Sequence, residues 1–279
     1  SERKRCTTVA FHPTCHLEIH EQKGYQRLHG LHARLVGNRN ELITLADLEG
    51  IHEPLAALLL ELPQREIGGR LPEWDDLLAQ TSWAREHGIA LHMDGARLWQ
   101  CGPFYERSLA EIAGLFDSVY VSFYKDLGGI AGAALAGDRE LVAEARVWLR
   151  RHGGNLVTMH PFVVSAGQGL DERLEPIAGY VEHARALAGA LRGVEGVEVV
   201  PDPPQAAMFH VHLRGDREVL CESALTLAEE RKVFIFGQLE PTSSPSIHYH
   251  EVSIGEATLA FTPEETAALY RDILAGAAG

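Results

Sequence analysis

Up to about residue 170, short aliphatic and β-branched runs alternate with segments whose apolar residues recur every three or four positions. The runs cover 7–11, 34–36, 55–60, 89–93, 118–123 and 132–136. Each has strand length and is bounded by turn residues. Between them the punctuation predicts helices. Pro72 opens one with Trp74, Leu77, Leu78 and Thr81 on its apolar face, and Gly88 closes it. Ser108 and Glu111 have the spacing of a capping box, with Ile112 and Phe116 continuing the apolar face. Asp138 caps a helix carrying Leu141, Ala145, Trp148 and Leu149, which stops at Gly153-Gly154. Strands alternating with helices predict βαβ units and a mostly parallel sheet.

After about residue 170 the pattern changes. A long helical stripe runs through Ile177, Tyr180, Val181, Ala184, Leu187 and Leu191 to Gly193. Strand patterns follow at 197–200, 208–213, 233–236 and 248–254, with a helix over 216–230. A final helix starts at Thr262, with Pro263 in first position and Glu265 reaching back. The chain therefore divides into a large α/β domain over 1–170 and a smaller α+β domain over 171–279.

Composition leaves this picture intact and excludes several classes. The 279 residues are 46% hydrophobic and 23% charged, so the chain can build a core and is neither disordered nor fibrous. A net charge of −14 argues against nucleic acid and anionic membranes as partners. No apolar stretch approaches the ~20 residues of a membrane helix. Residues 1–5 are basic but no apolar region follows them, so they do not form a secretory signal. Cys6, Cys15, Cys101 and Cys221 show no paired spacing, which fits reduced thiols in the cytoplasm.

Candidate chemistry lies just past the strand patterns, at the rim where open α/β sheets bind ligands. Asp94 ends the run 89–93 in the string His92-Met93-Asp94-Gly95-Ala96-Arg97. Lys125 follows it by 31 residues, one strand–helix–strand unit, and precedes Gly128-Gly129. A lysine and a carboxylate so placed suit pyridoxal 5'-phosphate. That cofactor needs an amine for a Schiff base and an acid to keep its ring nitrogen protonated. Spacing alone favours an ordinary ion pair between Asp94 and Lys125, because strand-end charges are common. Gly128-Gly129-x-x-Gly132 lacks the form of a dinucleotide loop, and these glycines are expected to pack the strand against a cofactor. Fifteen histidines, with His12, Cys15, His16 and His20 close together, raise a metal reading. Without an H-E-x-x-H pattern no metal site is assigned.

The surrounding strings carry more. His92-x-Asp94-Gly95-Ala96-Arg97, then Lys125 in a glycine-rich turn, His16 five residues before Glu21, the segment 61–69 and the Arg-rich stretch ending His152-Gly153-Gly154-Asn155 all fit one pattern. Together they resemble the threonine aldolase and β-eliminating lyase group of fold-type-I pyridoxal enzymes, over residues 7 to 170. The resemblance implies an aspartate aminotransferase-like large domain with a smaller α+β C-terminal domain. It implies Lys125 as the Schiff-base lysine, Asp94 as partner of the ring nitrogen, and His16 as the residue stacked on the ring. Arg97 is then near the cofactor or substrate carboxylate, with Arg65 as a second cation. The implied reaction cleaves a β-hydroxy-α-amino acid to glycine and an aldehyde. A homodimer or homotetramer acting on a small amino acid is implied as well.

Departures from the family pattern keep other readings open. Glu61-Leu62-Pro63-Gln64 lacks the His found there in the family, Leu156-Val157-Thr158 lacks an Arg after the glycine turn, and 248–253 lacks the C-terminal carboxylate-binding Arg. No Ser/Gly/Thr-rich phosphate loop precedes residue 16, so the family's first strand–helix segment is expected to be missing. β-Elimination on another amino acid, or a degenerate non-catalytic protein of this fold, are the alternatives.

Overall fold

The structure, a computed structural model, describes residues 6–277; the basic residues 1–5 lie outside them. The described chain forms two compact units. One holds residues 6–66 and Arg70–Ile177; the other holds Ile67–Gly69 and 178–277.

The first unit is built on a six-stranded sheet of β1 (Thr8–Phe11), β2 (His32–Leu35), β3 (Ala57–Glu61), β4 (Ala90–Asp94), β5 (Ser118–Ser122) and β6 (Ala133–Gly137), in the order β2-β1-β3-β4-β5-β6. All neighbours run parallel except β6, which pairs antiparallel with β5 at the edge. One sheet face carries Ala10, Leu58, Leu60, Leu91, Met93 and Val119 into the main core. There they join Leu48 of α3 (Leu45–Glu49), Leu77 and Ala84 of α4 (Trp74–Glu86), Tyr105 of α5 (Gly102–Tyr105) and Ile112 of α6 (Leu109–Ala113). Period-two alternation then sends Glu61, Asp94 and Tyr120 to the opposite face.

Helix boundaries follow the caps. Thr44, Ser108 and Thr262 each close a full capping box, at the starts of α3, α6 and α11 (Pro263–Gly276). Asp138 accepts the Leu141 amide at the head of α7 (Arg139–Arg151). The helix expected to open at Pro72 begins two residues later, with Glu73 as its N-cap. His16 opens and His20 caps a single turn, α1 (His16–Ile19), with their rings 4.8 Å apart; α2 (Gly24–His29) follows after Gln22 and Lys23, both left-handed.

The second unit packs α9 (Ile177–Leu191), α10 (Arg217–Arg231) and α11 with a four-stranded sheet of β7 (Val197–Val200), β8 (Met208–Arg214), β9 (Glu240–Pro241) and β10 (Ile247–Ser253), ordered β7-β8-β10-β9. Val181, Leu187, Phe209, Val211, Leu213 and Tyr270 are among its buried residues. Residues 233–236, expected as a strand, are not one. Residues 240–241 occupy the edge beside β10, and Phe236 instead packs its ring 4.7 Å from His250. No helix among the described residues is long and apolar enough to cross a membrane. All four cysteines are free thiols.

One helix fixes the turn that follows β5. Gly169, in α8 (His160–Arg173), lies where a Cβ would sit 2.3 Å from the Leu127 carbonyl oxygen. That is backbone and cannot swing aside. Gly169→Ala is expected to lower stability by about 1–3 kcal/mol through overpacking. Urea unfolding checks this, and an unchanged midpoint would show that the helix does not clamp the turn.

Candidate active site

The site begins with strand register. Glu61 pairs with Asp94 across β3 and β4, and Asp94 pairs with Tyr120 across β4 and β5. Three polar side chains therefore stand in one row where the strands end, on the face away from the main core. Gly95 follows Asp94 because the next strand is too close for a side chain. Its N–H donates to the Tyr120 carbonyl at 2.9 Å, and a Cβ would lie 2.9 Å from that same oxygen. The Asp94 carboxylate takes the Ala96 N–H on Oδ1 at 3.1 Å. Its Oδ2 has no hydrogen-bond partner among the described residues.

Lys125 sits three residues past β5 in a turn closed by backbone bonds from Gly128 N to Lys125 O (3.1 Å) and Gly129 N to Phe123 O (2.7 Å). Gly128 has φ +63°, and a Cβ on Gly129 would meet Phe123 O at 2.7 Å. Closure of this turn therefore requires glycine at 128 and 129. The Lys125 ammonium is 5.7 Å from the Tyr124 ring and makes no ion pair or hydrogen bond among the described residues. The ordinary ion pair with Asp94 is not formed. The sequence has only four lysines. Lys4 lies outside the described residues, Lys23 pairs with Glu18 at 2.8 Å, and Lys232 caps α10 in the second unit, so the rim holds Lys125 alone among those described.

His16 reaches the same rim from β1. Its backbone N–H donates to Glu61 Oε2 at 3.3 Å, and its ring Nε2 lies 3.1 Å from Glu21 Oε1. The His-x4-Glu spacing in the sequence is thus a contact. Burial and the neighbouring His20, whose ring is 4.8 Å away, lower the His16 pKa against the opposing pull of Glu21. The charges of Lys125 and Asp94 both act on it as well. Tyr120 closes the row, its phenol pushed up by burial, by Tyr124 and by Asp94.

Glu61 is the site residue to which the sequence alone assigns no role. Its carboxyl accepts Arg65 N at 3.1 Å on Oε1, and on Oε2 both His16 N and Gln64 Nε2, the latter at 3.4 Å. Burial, then Asp94 beside it, raises its pKa to about 7 against the pull of those amides. A glutamate ending an apolar strand one register step from a candidate Asp was the available signal. Arg65 starts the turn beyond β3, with its guanidinium 2.8 Å from Glu66 Oε1, which also holds His20 at 2.8 Å. Arg97 stands three residues past Asp94, at the head of the single-turn helix Leu98–Gln100. Among the described residues no three His, Cys, Asp or Glu side chains gather to hold a metal ion.

The sequence profile of the beta-eliminating lyases matches residues 2–214. The chain belongs to the beta-eliminating lyase family. A candidate L-allo-threonine aldolase of Listeria monocytogenes has the same fold, with TM-score 0.93 and 41% identity over 99% of this chain and 76% of its own. A candidate aromatic amino acid beta-eliminating lyase/threonine aldolase of Exiguobacterium sp. 255-15 gives TM-score 0.92 and 40% identity, covering 99% of this chain and 77% of its own. A candidate low-specificity L-threonine aldolase of Arabidopsis thaliana is 27% identical over 248 residues, 84% of this chain and 69% of its own length.

Members of the family are pyridoxal-phosphate-dependent lyases. The donor set at the rim fits that group. A carboxylate with one unengaged oxygen suits a protonated ring nitrogen, and an amine without an ion pair on the neighbouring strand end suits the carbonyl carbon. A half-buried imidazole completes the set.

Proposed function

We propose that this chain is an aldolase-type lyase that cleaves a β-hydroxy-α-amino acid into glycine and an aldehyde, with Lys125 as the residue that holds the cofactor covalently. One observation carries the reading: Lys125 and Asp94 occupy neighbouring strand ends of one rim, and neither spends its charge on the other. The aldolase branch of the family is favoured because the Listeria protein, 41% identical over 99% of this chain, is described as an L-allo-threonine aldolase candidate.

Bound there, pyridoxal phosphate supplies an electron sink for the bond broken at the amino-acid Cα. The protein's own groups do the rest. Asp94, through its unengaged oxygen, holds the proton of the ring nitrogen in place by charge attraction. Lys125 would hold the cofactor through its amine and, when free, would serve as a proton carrier within the site. His16 would face the bound cofactor. With its Nε2–H donated to Glu21 at 3.1 Å, its basic atom is Nδ1, which takes the β-hydroxyl proton directly or through a water. The lowered pKa keeps this imidazole neutral, and therefore able to accept that proton, at neutral pH. Arg97 and Arg65 supply positive charge for the substrate carboxylate, Arg65 with its guanidinium oriented by Glu66.

The test is a product analysis with threonine, phenylserine, serine and cysteine. Glycine plus aldehyde from the first two is expected. Pyruvate and ammonia from the last two would move the chain to the β-eliminating reading instead. Lys125→Ala is expected to cut turnover by at least a thousandfold and to abolish the visible absorption of the bound cofactor. A wild type that never acquires that absorption would identify the chain as a non-catalytic member of the fold.

We further infer that the protein is a homo-oligomer of the cytoplasm. All 13 residues of α7 lack full burial, and Val147, Trp148 and Leu149 are 42–51% exposed. Leu156, Val157, Val163 and Val164 add further exposed apolar surface in the same unit. Exposed apolar side chains in this number favour an association face. Light scattering after size exclusion is expected to give at least a dimer at micromolar concentration, and Trp148→Glu to shift it toward monomer. A monomeric wild type would refute the association.

A further inference from the structure

Glu61 and Asp94 are directly opposed residues on adjacent parallel strands. Strands so paired lie roughly 4.8 Å apart with their side chains on the same face, so two carboxyl groups stand side by side at the rim. Two like charges at that separation oppose each other's ionisation. Asp94 keeps one oxygen unengaged, whereas Glu61 is fully occupied by donors: Arg65 N, His16 N and Gln64 Nε2. Glu61 therefore cannot swing toward a ligand. It acts from a fixed place, and what it fixes is the backbone of two candidate site residues.

Support for that place comes from behind. Gln64 also lies 3.5 Å from Thr14 Oγ1, Thr14 is 2.8 Å from His12 Nδ1, and His12 Nε2 meets the Asn38 and Glu41 carbonyls at 2.9 and 2.8 Å. His12, Thr14 and Gln64 are all buried. A cavity of about 20 Å³ adjoins Glu61, Gln64 and Gln80, room for one water. The titratable and charged groups around the Glu61 carboxyl are Asp94 on β4, Cys15 and His16 at the start of α1, and Glu66 on its own turn. No cation among the described residues pairs with it.

We propose that Glu61 is a positioning residue with an electrostatic role as well. It anchors His16 and Arg65 beside Asp94, carries a proton while no cationic ring lies against Asp94, and gives the proton to solvent when such a ring binds there. This rests on the reading of the Asp94–Lys125 rim as the cofactor site. A bound cation offsets the repulsion between the two carboxylates, so ionisation of Glu61 becomes easier in the bound state than in the free one. Binding and proton release are then linked. In the free protein the raised pKa of about 7 places Glu61 largely protonated below neutrality. Cofactor affinity therefore gains a pH-dependent contribution that rises with pH up to about 7 and is flat above it.

The experiment is titration of the protein with pyridoxal phosphate at a series of pH values from about 5.5 to 8.5, for wild type, Glu61→Gln and Glu61→Asp. Dissociation constants are read from the cofactor's absorption, and protons released are read by calorimetry in two buffers of different ionisation enthalpy. Glutamine copies the neutral acid but cannot ionise. Relative to Glu61→Gln, wild-type affinity is expected to rise by about three- to tenfold per pH unit below 7 and to release up to one more proton at pH 6.5. Contributions from Lys125 are common to both proteins and cancel in the difference. Glu61→Asp, which still ionises, is expected to keep the pH dependence with a shifted midpoint, and it serves also if Glu61→Gln fails to fold. Parallel pH profiles for wild type and Glu61→Gln, or a Glu61→Asp profile without pH dependence, would overturn the proposal while leaving the cofactor site intact. Absence of any binding by wild type, or binding unaffected by Lys125→Ala, would instead overturn the reading of the site on which it rests.

Discussion

The in-register parallel pairing of β3, β4 and β5 is the constraint on which the rest of the site depends. It brings Glu61, Asp94 and Tyr120, residues 33 and 26 positions apart in the chain, into one row. The alternation that buries Leu60, Met93 and Val119 on one face obliges their neighbours to face the other way. A slip of one residue in any of these strands would place an apolar side chain in the row and a carboxylate in the core. The hydrophobic effect that holds the sheet together is therefore also what aims the chemistry.

Around this row, loops and single turns do the fine placement. Gly95 lets the chain leave β4 against the Tyr120 carbonyl, and Gly129 folds the Lys125 turn back onto Phe123. Gly169 lets a helix press on Leu127 from outside. Glu61 ties the start of α1 and the Arg65 turn to the same strand end. Each of these contacts reaches backbone, so what they hold in place is the main chain on either side of the row. Membership of the beta-eliminating lyases rests on residues 2–214, and the candidate site residues of this chain all fall within that span.

Much of this was legible in the residues themselves. Asp94 and Lys125 end apolar runs, and a charge at the end of a buried strand can only lie at the rim. Capping boxes at Ser108 and Thr262 and the Asp138 cap are local signals, and local hydrogen bonds realise them. What was not legible depends on distant partners. Glu61 acquires its meaning only from its register with Asp94 and from two amides, one of them 45 residues away. The antiparallel direction of β6 is set by its turn from β5, which period-two patterning does not encode. Residues 233–236 have strand composition, but residues 240–241 take the sheet edge, so composition alone misleads.

The central claim, that Lys125 beside Asp94 is where this chain holds its cofactor, is open to one direct measurement. The purified protein is incubated with pyridoxal phosphate, reduced with borohydride to make any lysine adduct permanent, and mapped by peptide mass spectrometry. With four lysines in the whole sequence the answer is unambiguous. The account predicts a single modified peptide carrying Lys125, and its loss in Asp94→Ala at limiting cofactor. A label on Lys23 or Lys232 in place of Lys125, or labelling indifferent to Asp94, would contradict it.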